Sequence, residues 1–167
     1  ASTHPLSQQR QSDIESRLAN TPQKADYYQN DDFWYVRAAS RVVQARGGMA
    51  LQQAMQQFDA EQQGDRPVAQ SAGLYGKAFA AFKRQEYEES ADLLARARAK
   101  QQNAALDILE VDLLMTTGQE QAALDKARQA WQMWPNQQAL GLVYAQAMQA
   151  VGADTQAIDF LDELIDK

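Results

Sequence analysis

The residues that could support chemistry in this sequence are few. It contains one histidine, His4, and no cysteine, so a disulfide, a thiolate zinc site and a cysteine nucleophile are excluded, and any Ser-His-Asp arrangement would have to use His4. Adjacent carboxylates at Glu88-Glu89 and Asp162-Glu163 could act in general acid–base catalysis, but we expect both pairs to lie on solvated helix faces. No glycine-rich phosphate-binding motif is present. We therefore predict that the chain by itself is not an enzyme and binds no cofactor or metal.

The composition narrows the class of protein further. The net charge of −6 at pH 7 argues against a nucleic-acid partner, because binding to a phosphate backbone requires a basic face. No apolar run approaches the ~18–20 residues of a membrane-spanning helix, so no span is predicted. Alanine and glutamine dominate, β-branched residues are sparse, and strict alternation of polar and apolar residues is hard to find. The composition therefore predicts an all-α fold.

The first third of the chain should form two or three helices. Pro5 can open a helix that Pro22 ends. Asp31 or Asp32 can cap the next helix, which a pair of glycines at 47 and 48 should end. A third helix follows, and the polar stretch around Gly64 is the best candidate for a boundary. The expected division is a lead-in segment over 1–30, a helical pair over 31–65 and a repeated region over 66–167.

After Pro67 the chain repeats. Aligning the small residue in the first turn of each second helix gives spacings of 33 and 34 residues, at Ser90, Ala123 and Ala157. Tetratricopeptide repeats are helix pairs with a period of 34 residues. The predicted fold is a helix-pair, tetratricopeptide-like solenoid of about three repeats, over about 67–102, 103–136 and 137–167, preceded by two or three helices.

Two further positions agree with this alignment. The turn between paired helices has Gly118 and Gly152 in the later repeats, where the first repeat has Gln85. A small residue recurs on each first helix, where it would let two helices approach closely: Ala78, Val111 and Ala145. An unrelated helical bundle remains the alternative interpretation.

A partner should bind along the first helices, because these line the concave face of such a solenoid. The residues predicted to face a partner are Tyr75, Phe79, Phe82, Ile108, Asp112, Met115, Leu142, Gln146 and Gln149. A groove rich in aromatic residues would suit an apolar or extended peptide segment. A clamp for a C-terminal carboxylate would need several basic residues and asparagines on this face. Lys83 is nearly the only such residue there, so this binding mode is not expected. The alternative for Phe79 and Phe82 is packing against the preceding helices around Trp34 and Phe58.

The C-terminal part contains two further apolar features. Trp131 and Trp134 flank the end of the second repeat, where tryptophans are expected to fill the joint between repeats. The last helix, from Ala157 to Lys167, carries apolar residues over a broad surface, including Ile158 and Ile165. Since a terminal helix usually has a polar outer face, this helix should either fold back on the stack or expose a surface for a homodimer or another partner.

Two stretches carry a resemblance to a known family. Thr3-His4-Pro5, followed after four residues by Arg10, resembles the T-H-P-x-x-x-x-R stretch of periplasmic HExxH zinc metallopeptidases of the BepA type. The segment Ala72-Gly73-Leu74-Tyr75-Gly76-Lys77-Ala78 is similar to the A-x-Y-G-x-A pattern of the repeats in that family. In the family the first stretch follows the last metal ligand of the catalytic domain and leads into a C-terminal tetratricopeptide domain.

The resemblance implies a C-terminal, non-catalytic portion of such a protease, because the HExxH helix and the glutamate ligand are missing. It implies a periplasmic location, zinc in the full-length parent only, and a domain that engages substrate or outer-membrane assembly machinery as well as its own protease domain. His4 would lie near the zinc of the parent; in this chain alone, an exposed imidazole is the alternative. The competing functional interpretation is a stand-alone tetratricopeptide adaptor or co-chaperone.

Overall fold

In a computed structural model of the protein, the structure describes residues 30–166, which form eight α-helices. They are α1 (Asp31–Gln44), α2 (Gly48–Gln63), α3 (Pro67–Lys83), α4 (Tyr87–Lys100), α5 (Ala104–Thr116), α6 (Glu120–Met133), α7 (Gln138–Ala150) and α8 (Asp154–Ile165). No strand occurs between residues 30 and 166, so the all-α prediction is confirmed. Over the same range, no helix is long and apolar enough to cross a membrane. The helix that Pro5 was expected to open lies outside the described residues.

The helices pack mainly on their neighbours in the chain. Helices α1 and α2 both pack on α3, and α3 to α8 then pack each on the next, with α5 also contacting α7. This order is that of a helical-repeat solenoid, in which each unit covers the apolar face of the one before it. The pairs α3–α4, α5–α6 and α7–α8 follow one another, with α1 and α2 in front of them.

The small residues of the predicted repeat lie where helices approach most closely. All six are buried: Ser90, Ala123 and Ala157 on the second helices, and Ala78, Val111 and Ala145 on the first. In the first pair the Ser90 hydroxyl donates a hydrogen bond to the Ala78 carbonyl at 2.8 Å. A larger side chain at either position would separate the helices, because protein interiors have no spare volume. The six positions aligned in the sequence are therefore all part of the buried interior.

The turn inside each pair has the same backbone conformation. Gly118 and Gly152 have φ of 79° and 84°, and Gln85 takes φ of 64° at the equivalent position. The next residue donates its N–H back to a carbonyl of the last helical turn, for example from Glu86 to Ala81 at 2.9 Å. This is the Schellman ending of a helix, which favours glycine at the left-handed position. Gln85 is therefore strained in this left-handed conformation, whereas the glycines of the other two repeats adopt it without strain.

One detail of the predicted helix boundaries is wrong. The cap of α1 is Asn30, whose Oδ1 accepts a hydrogen bond from the Asp32 N–H at 2.9 Å, and not Asp31 or Asp32. Those two carboxylates lie in the first turn, where they interact favourably with the helix dipole. Helix α2 ends at Gln63, directly before Gly64 and within the polar stretch that the sequence indicated as a boundary.

Helices α1, α2 and α4 pack against α3, and residues of its segment Ala72–Ala78 contact them. A Cβ atom on Gly73 would lie 2.7 Å from the Phe58 carbonyl oxygen, and one on Gly76 would lie 2.4 Å from the Phe58 ring, so both glycines admit α2. On the side facing α1, the Tyr75 ring packs edge-on against Tyr35 at 5.7 Å. The Tyr35 hydroxyl donates to Ser71 at 2.7 Å. Helix α3 is thus the centre around which α1, α2 and α4 assemble.

Candidate functional site

A groove of about 430 Å³ lies between α1 on one side and the first turns of α5 and α7 on the other, with α3 at its base. We call it the α1 groove. Its lining residues are Asp32, Tyr35, Val36, Ala39, Ser40, Val43 and Gln44 from α1, Tyr75 from α3, Asn103, Ala104, Ala105 and Ile108 from α5, and Gln137 and Ala139 at the start of α7. The first helix of every pair therefore contributes to one surface, and most of that surface is apolar.

One end of the α1 groove is closed by hydrogen bonds between side chains. Asp32 accepts from the Asn103 Nδ2 at 2.8 Å and from the Gln137 Nε2 at 3.1 Å. Asn103 also caps α5, because its Oδ1 accepts from the Ala105 N–H at 2.9 Å. These contacts tie the start of α1 to the starts of α5 and α7, so that the two sides of the groove are held at a fixed separation.

The α1 side of the groove has two exposed valines that the sequence prediction missed. Val36 and Val43 are 60% and 63% exposed, one heptad apart, with Ala39 between them. The adjoining face of the same helix, about 100° away around its axis, buries Tyr35, Ala38 and Val42. A helix with apolar residues on two faces is unusual on a protein surface. The spacing of Val36, Ala39 and Val43 was the signal that could have revealed this second face.

Of the residues predicted to face a partner, Tyr75 and Ile108 line the α1 groove. Tyr75 is only 7% exposed and lies at the base of the groove. Ile108 is half-buried on α5. Because Tyr75 packs in the core against Tyr35, replacing it would disturb packing as well as any bound partner.

The other predicted residues lie beyond the groove lining. Phe79 is half-buried 6.2 Å from the Tyr75 ring, and the Lys83 ammonium lies 5.4 Å from the Phe79 ring centroid. Phe82 packs 5.9 Å from Tyr87 of α4, and both phenylalanines lie against the core cluster that contains Phe58. The last members of the set are Met115, half-buried against the second core cluster, and Leu142, Gln146 and Gln149, exposed on α7.

Asp112 is the charged member of the predicted set, and it lies one helical turn after Ile108. Burial raises the pKa of Asp112, and the nearby positive charge of Lys83 opposes that rise. Burial also raises the pKa of Tyr75 to about 12, with a further contribution from the Asp112 charge. The charge of Asp112 on α5 thus acts on side chains of α3, the helix that α5 contacts.

A second polar cluster, which the sequence prediction missed, joins α4, α5 and α6. Asp107 is 4% exposed and contacts the Arg98 guanidinium at 2.6 Å, the Lys126 ammonium at 3.4 Å and the Trp134 Nε1 at 3.0 Å. Arg98 and Lys126 also contact Glu110. Every charged group in this cluster has a partner of opposite charge. The cluster therefore holds α4, α5 and α6 together. Trp134 therefore lies at a joint, as predicted.

Trp131 occupies the joint between the second and third pairs. Its ring packs edge-on against Phe160 of α8 at 5.1 Å. Gly141 of α7 lies beside both Trp131 and Leu164. Helix α8 therefore folds back on the stack through its inner face, while Ile158 and Ile165 stay exposed on its outer side.

The described residues offer no metal site. Between residues 30 and 166, no group of three or more histidine, cysteine, aspartate or glutamate residues could hold an ion, and His4 lies outside that range. The carboxylate pairs Glu88-Glu89 and Asp162-Glu163 are exposed, as predicted. These residues do not fit the zinc that the family resemblance implies for a full-length parent.

The chain was compared with protein-family models, with curated proteins and with solved structures, and none of the three comparisons found a match. A function for the chain must therefore be proposed from its own residues. The α1 groove is the surface on which such a proposal can be built, because it combines exposed apolar residues with a rigid frame.

Proposed function

We propose that this chain is a non-catalytic protein-interaction domain that holds an extended, mainly apolar peptide segment of a partner protein in the α1 groove. The observation that carries the proposal is the pair of exposed valines, Val36 and Val43, facing the half-buried Ile108 across a groove of about 430 Å³. Helical-repeat solenoids present extended binding surfaces of this kind. A mainly apolar lining with a few placed polar groups is typical of a binding cleft.

We expect the groove to bind an extended segment with modest affinity. Two or three apolar side chains buried against its lining would contribute about 1.5–3 kcal/mol each. Ordering a flexible peptide costs about 2–5 kcal/mol of that gain. We therefore expect a dissociation constant no tighter than about 1 μM, which suits a domain that captures and releases a partner.

Peptide selection followed by groove variants tests the proposal. A phage-displayed library of random peptides is selected against the full chain, and the recovered peptide is labelled and titrated by fluorescence anisotropy. Val36→Asp combined with Val43→Asp should weaken binding at least about tenfold, because both carboxylates would face the apolar part of the peptide. The matched control is Met133→Asp, an exposed apolar residue of α6 that does not line the groove, and it should bind as the wild type does. Recovery of no peptide, or equal loss in both variants, would contradict the proposal.

We also propose that the helix pairs are tetratricopeptide repeats and that the domain belongs to a periplasmic zinc metallopeptidase, where it would engage substrate or outer-membrane assembly machinery for its own protease domain. The support is the sequence pattern of Thr3-His4-Pro5 and Arg10, outside the described residues, together with the repeat spacing. Sequencing the gene upstream of Ala1 tests this. An HExxH motif there supports the protease, whereas a secretion signal alone supports the stand-alone adaptor or co-chaperone.

A second copy of the chain is a further proposed partner. The outer side of α8 exposes Ile158 and Ile165, which share one face of the helix. Carboxylates at Asp154, Asp159 and Asp162 are exposed on the same helix and form no ion pair among residues 30–166. Like charges would oppose self-association, so a homodimer through this helix should be weak at low salt.

A further inference from the structure

Beyond the apolar lining of the α1 groove, helix α5 carries a carboxylate that forms no ion pair within the described chain. Asp112 lies one turn beyond the groove residue Ile108 and is half-buried. Within residues 30–166 it forms no ion pair and no hydrogen bond through its side chain. Lys83 is the nearby cation, and its ammonium lies against the Phe79 ring, 5.4 Å from the centroid, without reaching ion-pair distance of Asp112.

The Tyr75 hydroxyl is also without a hydrogen-bond partner in the described residues. Arg37 Nε is the fully buried side-chain nitrogen or oxygen that lacks a partner between residues 30 and 166, so the Tyr75 oxygen is not fully enclosed. Tyr75 lies at the base of the groove, and the charge of Asp112 adds to the effect of burial in raising the pKa of its phenol.

Asp107, five residues earlier on the same helix, provides a contrast. Asp107 is more deeply buried and contacts Arg98, Lys126 and Trp134. Buried charges in proteins are normally paired in this way, because an uncompensated carboxylate away from water is unfavourable. Asp112 is half-buried, forms no ion pair within residues 30–166, and its carboxylate oxygens are not fully enclosed, so it is open to a cation that a ligand brings.

Building on the proposed function, we infer that the peptide held in the α1 groove carries a lysine or arginine whose cation pairs with Asp112, next to the apolar side chains that contact Val36, Val43 and Ile108. The choice of a cation follows from charge complementarity, because no basic residue lines the groove and the chain carries a net charge of −6. An acidic side chain at the same place would be repelled by Asp112. The positive charge of Lys83 reduces the affinity that a ligand cation gains at Asp112. Lys83 itself remains exposed and forms no ion pair with Asp112.

The test uses the peptide recovered by phage selection and two synthetic versions, in which its basic residue is replaced by norleucine or by glutamate. The wild-type chain should prefer the basic peptide to the norleucine peptide by about tenfold and should bind the glutamate peptide most weakly. Asp112→Asn should remove the difference between the basic and norleucine peptides. The matched control is Asp92→Asn, which removes the same charge from an exposed aspartate on α4 that does not line the groove, and which should keep the full preference.

The outcomes separate this inference from the function on which it rests. Peptides that bind but carry no common basic residue, or a preference unchanged in Asp112→Asn, would overturn the inference and leave the groove as a binding site. Failure to recover any groove-binding peptide would overturn both. Thermal unfolding serves as the folding control: Asp112→Asn should unfold at a midpoint no lower than the wild type, because the carboxylate it removes has no stabilising partner.

Discussion

Replacing Gly76 by alanine should destabilise the protein, although the same change inside a helix is usually stabilising. The Phe58 side chain is fully buried, and the outer end of its ring (Cζ, Cε1 and Cε2) lies against the α3 backbone at Gly76. An alanine Cβ would lie 2.4 Å from Phe58 Cζ and 2.5 Å from its Cε1. Favourable carbon–carbon contacts lie at about 3.5–4.0 Å, so the ring or the helix must move by about 1 Å in a packed core.

The size of the effect follows from two opposing contributions. Inserting a methyl group into a well-packed core costs about 1–3 kcal/mol. Removing a glycine from the helix interior returns about 0.5–1 kcal/mol. The net loss in the free energy of unfolding should be about 1–2 kcal/mol, which for a chain of this size lowers the melting temperature by about 2–8 °C.

Urea unfolding followed by circular dichroism at the helix band measures this loss. The matched control is Gly48→Ala in α2, where no atom lies within 4 Å of the added Cβ, and its stability should be unchanged or slightly raised. A double-mutant cycle with Phe58→Leu isolates the contact, because Gly76→Ala should cost much less once the ring is gone. A Gly76→Ala variant as stable as the wild type, or one with the same cost in both backgrounds, would refute the packing described for α2 and α3.

Three further changes test other parts of the structure. Gln85→Gly should raise the free energy of unfolding by about 0.5–1 kcal/mol, because glycine removes the strain of the left-handed backbone. Gly118→Gln should lower the free energy of unfolding. If both variants were as stable as the wild type, the turn conformation described for the repeats would be refuted. Asp107→Ala should cost about 2 kcal/mol, because it removes the contacts of Asp107 with Arg98, Lys126 and Trp134. An unchanged unfolding midpoint would show that the cluster does not join α4 to α6. In sedimentation equilibrium, the proposed homodimer should strengthen as about 0.5 M salt screens the carboxylates of α8 and should be lost when Ile158 and Ile165 are both changed to glutamate. A wild-type chain that stays monomeric at high salt would contradict it.

The helix pairs could be predicted from sequence because their signals are local. Proline and glycine punctuation placed α3 at Pro67–Lys83, as observed, since the groups that start and stop a helix lie within a turn of its ends. The repeat of small residues predicted which faces pack, because close helix approach demands small side chains wherever it recurs. The cap of α1 was misassigned because neighbouring polar residues compete for the same role, and only the backbone geometry selects Asn30.

The candidate site was predicted in part. Tyr75 and Ile108 were expected to face a partner and do line the α1 groove. The wall formed by Val36 and Val43 was missed, because the alignment considered only the repeated helices. Phe82 was assigned to the same face and instead packs toward Tyr87, since an aromatic residue at the edge of a helix face can turn toward either neighbour.

By itself, the sequence determined an all-α fold, the 33- and 34-residue spacing of the helix pairs and the absence of cysteine chemistry, because each depends on composition or on residues within a few turns of one another. Only the tertiary structure decided that α1 forms a wall of the groove. The contacts that hold it there join Asp32 to Asn103 and Gln137, 71 and 105 residues away in the chain. Only the tertiary structure, likewise, left Asp112 unpaired while surrounding Asp107 with partners, because pairing depends on which helices meet and not on the spacing along α5.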